Sequence, residues 1–77
     1  MCAATTMQTL ADGIAVEGDA AKRLFGLADL AETQGASELS STIRSMARSH
    51  QVRAIALRAR LDAICYFYMS GHVPDPS

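Results

Sequence analysis

The stretch that decides the fold is Ser37 to Met69, SELSSTIRSMARSHQVRAIALRARLDAICYFYM. Read in alternating steps of three and four, one face carries Ile43, Ala47, His50, Ala54, Leu57, Leu61, Ile64 and Tyr68. That spacing is the buried seam of an amphipathic helix, apolar at every step except His50. Ser37 is placed to cap its first turn, with Glu38 favourable beside the free amides. Gly71 and Pro74 stop the helix, so it is expected over about 38–70.

Upstream, Met7, Leu10, Ile14, Glu17, Ala21, Leu24, Ala28 and Ala31 repeat the pattern. Here too a single member of the seam is polar, Glu17. Thr5 or Thr6 is a suitable cap, which predicts a first helix over about 6–34. Gln34-Gly35-Ala36-Ser37 reads as the turn, Gly35 supplying the left-handed residue after a helix end. The tail 71–77, His72 included, is expected to be extended and loose.

The chain of 77 residues is one domain by length, with no proline before Pro74 to break either helix. The expected fold is all-α: one long antiparallel hairpin. Each helix of such a hairpin has only one neighbour, so its apolar surface calls for a second copy and a four-helix bundle. Charge agrees with helices that meet. Residues 7–34 carry five acids against two bases, a net of −3, and residues 37–70 carry five arginines against two acids, a net of +3.

The whole-chain charge of −1 gives no polyanion-binding signature, and neither nucleic acid nor membrane is expected as a partner. No window approaches the roughly 20 apolar residues of a membrane span. The first six residues lack the basic start and apolar run of a secretory signal, so the expected compartment is the cytoplasm. There Cys2 and Cys65, which lie nearly level at the open end of the hairpin, would be reduced. A glycine-rich phosphate loop, Cys-x-x-Cys and His-Glu-x-x-His are all missing, and no catalytic residue or organic cofactor is expected.

Two features carry chemistry. If the turn centres on Gly35 and Ala36, Glu17 and His50 lie on facing stripes about one helical turn apart in level. Burying a carboxylate without a partner is costly, and His50 or Arg53 can supply one. The second feature is Cys65, Tyr66, Phe67, Tyr68 and Met69 at the open end, expected to be an interaction patch for a second copy or a partner protein.

Glu17-Gly18-Asp19-Ala20-Ala21 on one helix and Ala47-Arg48-Ser49-His50 on the next resemble one half of a ferritin-like di-iron bundle, of the rubrerythrin or encapsulated two-helix ferritin type. In that family a glutamate on the first helix joins a Glu-x-x-His motif on the second, and two halves complete the metal site. The resemblance implies that Glu17 and His50 are metal ligands. Ala47, however, stands where the family has the motif's bridging glutamate. A symmetric pair would keep two Glu17 and two His50, enough for one tetrahedral zinc or iron but a poor di-iron cage. A dedicated ferroxidase is therefore not expected. The two readings are a buried polar pair that fixes the register of a non-enzymatic bundle, and a ferritin-like relic binding iron or zinc through Glu17 and His50.

Overall fold

The computed structural model describes residues 3–71. Helix α1 spans Ala3–Thr33 and helix α2 spans Ser37–Tyr66, continued by one π-helical turn over Phe67–Gly71. The chain is an antiparallel hairpin, all-α as the two seams predict, with no strand among the described residues. At the standard rise each helix is about 45 Å long. The expected tail from His72 onward, and Cys2, lie outside the described residues.

Both seams lie in the contact. Every α1 seam residue from Met7 to Ala31 is buried or half-buried, and so is every α2 seam residue from Ile43 to Ile64. Tyr68 is the exception: it falls in the π-helical turn and is exposed. The wider turn rotates the residues after Tyr66 out of the 3.6-residue register, which takes Tyr68 off the stripe.

The most deeply buried residues are all small: Ala21, Ala28, Ala31, Ala47 and Ser40. Small side chains at these steps let the helix axes approach closely. The large apolar seam residues, such as Leu24 and Leu57, are half-buried. Gly13 belongs to the same close approach: a Cβ there would meet Leu57 Cδ1 at 3.0 Å.

The turn is closed by backbone hydrogen bonds. The Gly35 N–H donates to the Glu32 carbonyl at 3.0 Å, and the Ala36 N–H donates to Ala31 at 2.9 Å. Gly35 has φ +82°, the left-handed conformation predicted for it.

The helix starts differ from expectation. The N-cap of α2 is Ala36, with no side-chain cap, and Ser37 is already helical. The bond from Ala36 back to Ala31 holds Ala36 in the cap position and passes the serine into the first turn. Thr5 and Thr6 likewise lie inside α1, and the Thr5 carbonyl accepts from Thr9 Oγ1 at 3.0 Å.

Candidate functional site

Glu17 and His50, 33 residues apart in sequence, meet across the hairpin. His50 Nδ1 lies 2.5 Å from Glu17 Oε1. Both side chains are about three-quarters covered. The mechanism of their meeting is the seam itself: each occupies one step of its helix's buried stripe, and the stripes face. Of the two partners expected for Glu17, His50 is therefore the one that binds it. Arg53 stands one turn further on and lines, with Glu17, Ala56, Leu57 and Arg60, a groove of about 240 Å³.

The separation bears on metal binding. Zinc held by both atoms at ordinary bond lengths would set the nitrogen and oxygen roughly 3.3 Å apart in a tetrahedral site. The two side chains here touch directly, as a hydrogen-bonded pair does, with His50 Nδ1–H donating to Glu17. In this geometry Glu17 orients the His50 ring, as carboxylates do behind metal-bound histidines, and leaves Nε2 as the atom able to reach outward. No group of three or more His, Cys, Asp or Glu gathers into a metal-binding cluster among the described residues.

Ala47, where the resemblance places the bridging glutamate, has zero exposure. It packs directly into α1, and a carboxylate there would have to displace that helix.

The aromatic end divides in two. Cys65 turns inward, half-buried, with its thiol 3.7 Å from Met7 Sδ. Tyr66, Phe67, Tyr68 and Met69 are exposed. Phe67 and Tyr68 pack edge to face, their ring centroids 5.4 Å apart at 85°.

Near the turn is a cluster that the seam pattern alone does not reveal. Ser40, 1% exposed, donates to Glu32 Oε1 at 3.0 Å. Arg44 Nη2 lies 3.0 Å from Asp29 Oδ1 and 3.5 Å from Glu32 Oε1. Ser40 continues the α2 stripe one step before Ile43, so the spacing would have found it had a serine been admitted to an apolar face. These ion pairs also tell the two edges of the hairpin apart. The edge with Arg44 and Glu32 is polar; the opposite edge carries Leu27, Leu30, Leu39 and Met46, all exposed.

No family model, no curated protein and no solved structure matches this chain. The ferritin-like resemblance thus stands on the two residues Glu17 and His50 alone. Among the described residues no helix is long and apolar enough to cross a membrane.

Proposed function

We propose that this chain is a non-enzymatic helical-hairpin module that pairs with a second copy into a four-helix bundle and acts through protein contacts. One observation carries the reading: Leu27, Leu30, Leu39 and Met46 line a single edge and remain at least half exposed. At 27, 30, 39 and 46 they lie level in pairs across the hairpin, Leu30 with Leu39 and Leu27 with Met46. An apolar strip of this kind, shared by both helices, is what a second hairpin would cover. The strip covers about 10 Å of α2 beside the turn, and the long flank beyond it is available to extend the contact. Glu17 and His50 serve as the polar pair that sets which residues lie level.

Light scattering tests this. The wild-type chain is expected at twice its monomer mass, and a Leu30→Asp/Leu39→Asp variant at the monomer mass with its helicity kept. A wild-type monomer at micromolar concentration overturns the reading.

The hydrogen bond from His50 Nδ1–H to Glu17 Oε1 favours a second reading, iron or zinc at the bundle axis. There His50 Nε2 from each copy would be the ligand and Glu17 its orienting partner. Elemental analysis of protein purified without chelator tests it: stoichiometric metal that vanishes in His50→Ala supports it, and metal-free dimer rules it out.

A further inference from the structure

We propose that the outward face of α2 docks onto an anionic lipid surface. From 39 to 61 the chain has five arginines, one histidine and no acidic residue. Among the described residues, the ion pairs are Arg23–Asp19, Arg44 with Asp29 and Glu32, and His50–Glu17. Arg48, Arg53, Arg58 and Arg60 take part in none of them. The acids of α1 are largely engaged within the chain: Asp19, Asp29, Glu32 and Glu17 in these pairs, and Asp12 through a 2.9 Å hydrogen bond from Gln8. The four arginines outside these pairs thus all lie on α2, whose acids are Glu38 and Asp62.

The outward face of α2 is apolar beside Arg48 and Arg58, while Arg53 and Arg60 stand at its other margin along the groove with Glu17. Val52, Ile55, Ala59 and Tyr66 recur at helical spacing away from the seam, and all four are exposed, Ile55 at 67%. Phe67, Tyr68 and Met69 extend the apolar surface at the end of the helix, Met69 at 81%. Asp62 is the one acid on the stripe. Basic residues flanking an apolar helical stripe with aromatics at one end are the make-up of a helix that lies in a membrane interface. The apolar side chains enter the headgroup boundary, and the arginine stems reach back to the phosphates.

The shape favours lipid over other anions. This face is the convex side of a single helix, and the groove of about 440 Å³ on it, lined by Ser45, Arg48, Ser49, Val52 and Arg53, is open. A partner helix is gripped by a concave groove, and nucleic-acid phosphates would leave Ile55 and Met69 in water. The net charge of −1 conceals all this, because the two helices cancel in the sum.

Co-sedimentation with vesicles decides the matter. Binding is expected to vesicles of equal parts phosphatidylcholine and phosphatidylserine, and not to phosphatidylcholine alone. Each arginine near the surface is worth about five-fold in affinity, so Arg48→Gln/Arg58→Gln should bind about 25-fold more weakly. Ile55→Ser should lose binding while keeping the helicity and the light-scattering mass of the wild type; Val52→Ser provides a second apolar variant should the first unfold. Absence of binding to the anionic vesicles overturns the proposal. So does anionic-vesicle binding that is unaffected by the serine variants, or that a DNA duplex competes away equally in wild type and variant, because both outcomes indicate charge attraction without insertion. Arg48, Arg58, Val52 and Ile55, the positions varied here, lie apart from the edge that Leu39, Met46, Arg53 and Arg60 share at seven-residue spacing, so neither result depends on the dimer.

Discussion

His50 and Glu17 share a 2.5 Å contact at the middle of the hairpin, each a polar step in its helix's buried stripe. Their placement makes each the answer to the other's burial. Removing one partner leaves the other polar group covered and unsatisfied, whereas removing both leaves a continuous apolar seam. His50→Ala is expected to cost about 1–3 kcal/mol in urea unfolding. The double variant Glu17→Leu/His50→Leu should regain most of that, since an apolar replacement of a covered polar pair is often neutral or stabilising. A double variant no better than His50→Ala would mean that the pair contributes more than its own satisfaction.

Ala47→Glu would restore the motif glutamate of the resembling family. At zero exposure, and against α1, the change must push the helices apart or bury a charge. It is expected to destabilise by at least about 3 kcal/mol, seen as a fall in Tm. A folded, equally stable variant would show that α1 and α2 can separate there.

The three helical glycines of α1 should respond differently to alanine. Beside Gly18 and Gly26 a Cβ meets nothing within 4 Å, so each substitution should gain about 1 kcal/mol from helix propensity. At Gly13 the new methyl presses Leu57 Cδ1, and the gain should be smaller or absent. Chemical denaturation of the three single variants ranks them.

Gly35→Ala has open space around its Cβ but keeps φ +82°. The strain of a left-handed alanine should cost about 1 kcal/mol and leave the helices intact. Circular dichroism during thermal unfolding separates that loss from a change in helical content.

Ser40→Ala removes the donor to Glu32 at the best-buried polar position in the described residues. Glu32 is itself exposed and still beside Arg44, so it can turn to water. The expected loss is about 0.5–1.5 kcal/mol, and a double-mutant cycle with Glu32→Gln should attribute most of it to the hydrogen bond.

Much of the hairpin is legible without coordinates. The two stripes of steps of three and four name nearly every residue in the contact, because a helix of 3.6 residues per turn can bury only one such face against one neighbour. Gly35 marks the turn, because only glycine takes a left-handed φ at little cost. Counting outward from that turn puts Glu17 and His50 on facing stripes about one helical turn apart, and the packing of the helices brings them into contact. Three things needed the tertiary structure. The cap fell to Ala36 rather than Ser37 because backbone bonds closing the turn outweighed a side-chain preference. Tyr68 left the seam because a π-helical turn shifts the phase that a 3.6 period assumes. And periodicity identifies a seam without saying which flank of one helix meets which flank of the other. That choice, fixed here by how the two helices pack, set Arg44 beside Asp29 and Glu32, left Leu27, Leu30, Leu39 and Met46 together on the far edge, and turned Val52 and Ile55 outward with the unpaired arginines.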